Sequence, residues 1–243
     1  MNGGELCHQR HLRSGGVTSY NSNREGRSAF TIKPHQSKDR LDLKKLVDSS
    51  FKKYFNLIRP VQQKDEILGL LKYLSEYDLN NILEIGTAKG GTLFLFSKIA
   101  SEMSTLISVD LPNGKFGGSY PFWMIPLFKS FALPNQKIHL VRTDSHRTKT
   151  LIKVKDILGG NELDFLFIDG DHSYNGVSRD FEMYSPLVKK NGVIAFHDIV
   201  PGPEIYVGGV PKYWSEIKSK YEHHEFFDDW DQNGAGIGLI IKR

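Results

Sequence analysis

The sequence holds a single cysteine, Cys7, among 243 residues. One thiol can close neither an internal disulfide nor a zinc cluster, which fits a reducing compartment and sets the expectation of a cytoplasmic protein. Long apolar runs are missing as well. A stretch such as Phe165-Leu166-Phe167-Ile168 falls far short of the roughly 20 residues a membrane helix needs. No segment near the N-terminus has the charged, apolar, small-residue order of a secretory signal. An excess of one charge is lacking where it would matter. The formal charge is +4, but residues 1–40 account for all of it with seven Lys/Arg against three Asp/Glu, and residues 41–243 carry 25 of each sign. A nucleic-acid enzyme would be expected to carry basic surface on its folded body, so the composition argues against that class. Neither an Asn-Pro-Pro-Tyr-like motif nor a cysteine nucleophile motif is found in the body.

What is present suffices for one large domain, with 39% hydrophobic and 25% charged residues. Residues 1–38 are Gly, Ser, Asn, Arg and His with scattered apolars and no period, so a flexible basic tail is expected there. Its arginines and serines would suit a transit peptide, yet Glu5, Glu25 and the missing amphipathic stripe favour a solvated tail. The domain proper is expected over 39–243, with N-terminal helices in 39–78 and a sheet core in 79–243. Leu43, Leu46, Val47, Phe51, Tyr54 and Phe55 recur at helical spacing, and Ile67, Leu68, Leu70, Leu71 and Leu74 form the apolar face of a second helix.

Beyond Asn80-Asn81 the pattern alternates. Strands are expected at 82–86, 105–110, 137–142, 163–169 and 192–198. Helices are expected at about 90–102, 121–132, 147–157 and 175–189. Strands apolar throughout are buried on both faces, and alternation with helices gives a parallel sheet. A helix at 211–221 and a strand pair at 223–229 and 236–242, around Asn233-Gly234, close the chain. The fold class is α/β: a Rossmann-like, doubly wound, mostly parallel seven-stranded sheet with an antiparallel C-terminal strand. Ligands of such sheets bind beyond the carboxyl ends of the strands. Gly86 through Gly91, Asp110, Asp144, Asp169 and Asp198 all stand there.

Glu84-Ile85-Gly86-Thr87-Ala88-Lys89-Gly90-Gly91-Thr92 reads as strand, glycine turn and helix start. Glycine permits positive φ and close backbone approach, and the free N–H groups of a helix start can meet a carboxylate or phosphate. The spacing is not G-x-G-x-x-G, which counts against a nicotinamide dinucleotide. Asp110 can accept from both ribose hydroxyls of a nucleoside. Asp144 and Ser145 can meet an adenine or, equally, cap the following helix. The loops 111–122 and 199–210 are Gly/Pro-rich and long enough for lids, with Tyr120, Phe122, Trp123 and Tyr206 as their notable aromatics; Trp230 is expected to pack.

Glu84-Ile-Gly-Thr, Asp110 and Asp144-Ser145 resemble the successive motifs of class I S-adenosylmethionine-dependent methyltransferases. Phe167-Ile-Asp-Gly-Asp-His-Ser-Tyr174, Val177, Arg179-Asp180 and Gly192-Val-Ile-Ala-Phe-His-Asp198 narrow the resemblance to the small-molecule O-methyltransferase branch. That branch is methyltransferase family 24, with the macrocin and mycinamicin sugar methyltransferases and the cephalosporin-biosynthesis proteins. The resemblance covers residues 60–243 and implies S-adenosyl-L-methionine as cofactor. Glu84, Gly86, Thr87, Gly91 and Thr92 would serve its methionine end, Asp110 the ribose, Asp144 and Ser145 the adenine, with Asp169 beside them. It further implies Mg²⁺ or another divalent cation at Asp169, His197 and Asp198, and His172 as the base. His197 departs from the usual oxygen ligand: Asp169 and Asp198 with water could still hold Mg²⁺, and the set would also suit Mn²⁺, Fe²⁺ or Zn²⁺. The acceptor implied is a small-molecule, sugar-like hydroxyl, with neither nucleic acid nor membrane as partner; relatives in the branch form homo-oligomers. Two other classes compete: a cofactor-binding module without chemistry, which turnover of any acceptor would exclude, and a nicotinamide-dependent oxidoreductase, which adenosylmethionine binding would exclude.

Overall fold

The computed structural model describes residues 41–52, 58–114, 116 and 120–243. The tail expected over 1–38, with Cys7, lies outside the described residues, as do Tyr54 and Phe55. Seven strands form one sheet: β1 (Asn81–Ile85), β2 (Thr105–Asp110), β3 (Lys137–Arg142), β4 (Leu163–Ile168), β5 (Val188–His197), β6 (His223–Phe226) and β7 (Ile237–Ile241). Their spatial order is β3-β2-β1-β4-β5-β7-β6. β1 to β5 pair in parallel, and β7 runs antiparallel to both β5 and β6. The expected sheet, including its antiparallel C-terminal strand, is the observed one.

Eight helices flank the sheet in the described residues: α1 (Leu43–Ser50), α2 (Lys64–Leu74), α3 (Gly91–Ile99), α4 (Ile125–Lys129), α5 (Thr148–Leu158), α6 (Tyr174–Tyr184), α7 (Glu204–Val207) and α8 (Val210–Ile217). Alternate residues of the central strands serve two cores. Ile82, Leu106, Phe165 and Phe167 pack with α2, α3 and α4 residues on one face. Leu83, Ile85, Ile107, Leu166 and Ile168 pack with α5, α6 and α8 residues on the other. Burial on both faces is why these strands read as unbroken apolar runs. Within the loop 199–210 the chain forms α7, so this segment is partly helical and not structureless. No helix among the described residues is long and apolar enough to cross a membrane.

The chain leaves β1 toward β2 and β3, then returns to β4 on the other side of β1. That reversal opens a crevice between the ends of β1 and β4. Register sets its floor. Ile85 stands opposite Val109 and Ile168, and Ile168 opposite Phe196. The next residues along these strands, Gly86, Asp110, Asp169 and His197, therefore emerge at one level.

Candidate active site

A cavity of about 870 Å³ lies over that level, lined among others by Gly86, Asp110, Asp144, Asp169, His172 and Asp198. All five parallel strand ends thus contribute to one space. Ser145 and His197 also line it, whereas Glu84, Thr87, Gly91 and Thr92 do not. The last four stand behind the wall, each with little or no exposure.

The glycine turn explains why. A Cβ at Gly86 (φ +93°) would fall 1.9 Å from the Asp169 carbonyl oxygen, and one at Gly91 would fall 1.9 Å from the Pro60 nitrogen. These two glycines make room for the chain itself: β4 passes against the first and segment 59–60 against the second. Segment 59–63 is thereby laid across the turn, and its Val61 and Gln63 line the cavity. Gln62, buried, donates from Nε2 to Asp169 Oδ2 at 2.7 Å. Sequence reasoning missed Gln62, because nothing local marks a partner 107 residues away.

Thr87 N donates to Asp110 Oδ1 at 3.3 Å, and the Thr87 and Ser108 hydroxyls are hydrogen-bonded. Glu84 is fully buried, and neither carboxyl oxygen has a hydrogen-bond partner. Burial pushes its pKa up to about 8; the Thr92 hydroxyl pulls the other way, and the Asp169 and Asp110 charges add to the rise. Asp144 Oδ1 accepts from the His146 backbone at 2.8 Å and its Oδ2 lies 3.7 Å from Arg147 Nε; α5 has no side-chain cap, so Asp144 stabilises its own turn and does not cap the helix.

At the β4 and β5 ends, two carboxylates and two imidazoles interlock. His172 Nε2 lies 3.4 Å from Asp169 Oδ1, and its Nδ1 lies 3.1 Å from Asp198 Oδ2. The Tyr206 carbonyl accepts from the same Nδ1 at 2.6 Å. His197 Nδ1 lies 3.1 Å from Asp169 Oδ1 and 3.4 Å from Asp198 Oδ2, while its buried Nε2 has no partner. Burial opposes charge on both rings, yet the two carboxylates prevail: His172 is raised to about 9 and His197 is raised well above its ordinary value. Burial would likewise raise Asp169, but His197 and His172 hold it well below the usual carboxylate range. Asp198 sits at φ +61°, a conformation that costs a non-glycine residue energy and tends to mark functional sites.

The loop carrying His172 is fixed from outside. Gly208 (φ +54°) and Gly209 lie so close that Cβ atoms there would meet the His172 carbonyl and Tyr174 nitrogen at 2.2 and 2.5 Å. Gly209 N donates to the His172 carbonyl at 2.7 Å. Phe116 stacks on the His172 ring, centroids 4.9 Å apart. Of the aromatics singled out in the loops, Tyr120 is core, packed on Phe128. Phe122, Trp123 and Tyr206 are exposed. Trp230 packs on Phe227 but stays 43% exposed.

For a metal ion, the convergent set is Asp169, His172 and Asp198, each offering one ligand atom within 4.8 Å of the others. His197, placed by the resemblance among the metal positions, is not one of those three. Two carboxylates with one imidazole make a mixed oxygen and nitrogen donor set that fits Mn²⁺, Fe²⁺ or Zn²⁺.

A reversed-order parallel sheet with a glycine turn, acids at successive strand ends and one cavity above them defines a doubly wound α/β protein, whose ligands bind at the carboxyl ends of the strands. Residues 83–199 match the family described as "Methyltransferase domain", and the chain belongs to that family. It is 31% identical over 175 residues to an uncharacterized protein of Acanthamoeba polyphaga mimivirus, covering 66% of this chain and 71% of that one. A relative from Sinorhizobium fredii, 29% identical over 139 residues and 56% of this chain, is far longer: the chain spans 15% of its length. Among solved structures, the Bacillus cereus O-methyltransferase in complex with SAH matches with a TM-score of 0.56 at 17% identity, over 83% of this chain and 90% of that one. The O-methyltransferase TomG of Streptomyces achromogenes, in complex with SAM, matches with a TM-score of 0.53 at 16% identity, over 85% and 92%. The fold is that of the S-adenosylmethionine-dependent O-methyltransferases.

Proposed function

We propose that the protein transfers a methyl group from S-adenosyl-L-methionine to a hydroxyl of a small molecule, with a sugar hydroxyl as the acceptor the sequence resemblance implies. The observation that carries this is the convergence of all five parallel strand ends on one 870 Å³ cavity. Gly86 and the turn behind it would receive the methionine end, Asp110 the ribose, and Asp144 with Ser145 the adenine. The cofactor, when bound, supplies a methyl already made electrophilic by its sulfonium.

The chain's own work is alignment, deprotonation and exclusion of water. His172 keeps a proton on Nδ1 for the Tyr206 carbonyl, which leaves Nε2 to take the proton of the acceptor hydroxyl. Asp169 and Asp198 stabilise the imidazolium that results. Phe116 and the Gly208-Gly209 contact keep the ring from rotating away.

A second reading of the same cluster has its own support in the convergence of Asp169, His172 and Asp198. In it these three residues would hold a divalent cation, whose charge lowers the pKa of a nearby hydroxyl. With Nδ1 given to the Tyr206 carbonyl, His172 has one nitrogen left, which either ligates or accepts the proton; a cation held by Asp169 and Asp198 alone would instead assist His172 as base.

Titration of S-adenosylhomocysteine into the protein, with EDTA and then with Mn²⁺, comes first; absence of binding in a folded sample overturns the cofactor. Transfer of labelled methyl to a panel of hydroxyl compounds then separates the readings. With His172 as base, His172→Ala loses about 10²–10⁴-fold in rate with cofactor affinity kept, and EDTA has no effect. Loss of activity in EDTA, restored by Mn²⁺, favours the cation.

A further inference from the structure

Arg179-Asp180, part of the motif at 167–180, has no role in the chemistry above. Asp180 lies on α6, the helix that leaves the His172 loop. Its side chain is completely enclosed, and neither oxygen has an aligned hydrogen bond. Oδ2 lies behind the loop, 3.5 Å from where a Cβ of Gly170 would be. Oδ1 lies 3.3 Å from His146 Nε2, its one ionic partner among the described residues. An enclosed carboxylate without a partner is strongly disfavoured, so this contact is what offsets the burial of Asp180. Asp180 raises the pKa of the His146 ring against the opposing effect of burial, and Asp144 adds to the rise.

His146 follows directly on Asp144-Ser145 and lines the cavity with them. Three side chains of α6 reach this turn. Besides Asp180 on the ring, Arg179 donates to the His146 carbonyl at 2.9 Å and the Tyr184 hydroxyl to the Ser145 carbonyl at 2.7 Å. The Gly176 carbonyl stands 3.2 Å from the same Nε2. On the other edge of the ring, Nδ1 lies 3.8 Å from Asp144 Oδ1. The imidazole therefore bridges an enclosed carboxylate below and a cavity-facing one above.

We propose that His146 and Asp180 form a clasp through which α6 positions the Asp144-Ser145 turn for the adenosyl end of the cofactor. His146 is thus a positioning residue for cofactor binding, and this inference rests on the cofactor reading above. The clasp also ties the adenine turn to the helix that begins at the base loop, so the two ends of the cavity share one support.

Calorimetry with two probes tests it, S-adenosylhomocysteine and methylthioadenosine, the second lacking the amino-acid end. His146→Leu and Asp180→Asn are expected to weaken both ligands by about tenfold and by the same factor, which places the defect at the adenosyl end. His146→Gln, which keeps a donor for Gly176 or Asp180, recovers most of the affinity. The double variant His146→Leu/Asp180→Leu leaves no unpaired buried charge and regains thermal stability, yet stays weak in binding. Wild-type affinity in His146→Leu, a loss confined to S-adenosylhomocysteine, or recovery of binding together with stability in the double variant overturns the clasp. If the wild-type protein binds neither probe, the cofactor reading itself falls, and the purpose of the clasp with it.

Discussion

Glu84, fully buried, and Asp169, half-buried in the cavity wall, stand near the ends of adjacent strands, and their carboxyl groups are driven in opposite directions. Glu84 has burial and two nearby anions against it and no cation among the described residues, so it is pushed up to about 8, toward its neutral form. Asp169 is also penalised by burial, but two imidazoles outweigh it and the Gln62 amide adds a 2.7 Å hydrogen bond. The same functional group is thus a neutral wall element on β1 and a fixed anion beside β4. Partners, and not burial alone, decide which.

The sharpest way to break that contrast is to remove the anion. Asp169→Asn should leave His172 and His197 with only Asp198 and cost about 3 kcal/mol, seen as a lower midpoint in urea at pH 7. Glu84→Gln should do the opposite. The unfolded chain releases the Glu84 proton near its ordinary value while the folded one retains it to about 8. Folding at pH 7 therefore carries a penalty that an uncharged isostere removes. The variant should gain on the order of 2 kcal/mol in the same assay, and a loss would show that Glu84 is charged in the fold.

The pH profile joins both halves of the comparison. His172 is raised to about 9, so its contribution is complete below about 6.5, the ordinary histidine value, and is lost as pH rises through 9. Glu84 lowers stability over the range from its ordinary value up to about 8. Wild-type stability in EDTA should fall from pH 6 to 9.5, and each variant above should show a shallower fall. If His172 is the base, the methylation rate rises over the same interval, so activity and stability move apart. Gln62→Leu comes next in size, at about 1 kcal/mol, since Asp169 keeps its imidazoles. Exposed Phe122→Ala should stay within about 0.5 kcal/mol by thermal unfolding.

Much of this architecture was legible in the sequence because buried parallel strands leave unbroken apolar runs, and the acids ending them stand out. Asp110, Asp144, Asp169 and Asp198 stand at such strand ends, His172 follows Asp169 by three residues, and all five meet in one cavity. The glycines were harder. Gly86 and Gly91 suggest close approach of a ligand, but the space they leave is taken by Asp169 and by Arg59-Pro60. A sequence shows that something must come close to a glycine without showing what. Gln62 and the pairing of His146 with Asp180 left no trace either, since each depends on residues distant in the chain. Segment 199–210 reads as a loop because Gly and Pro dominate it, yet four residues between them form α7.

The strap of residues 59–63 has a consequence for the order of events in folding. Its hold on the turn at Gly91 is made with chain emerging soon afterwards from synthesis. Its tie to Asp169 waits until the chain has grown 107 residues past Gln62. Closing so long a loop is slow and entropically unfavourable until the intervening strands have paired. The nascent chain should therefore cover the turn at Gly91 well before Gln62 is fastened to Asp169. A ribosome stalled before β4 would display a glycine turn already covered on one side, with the place of Asp169 still vacant.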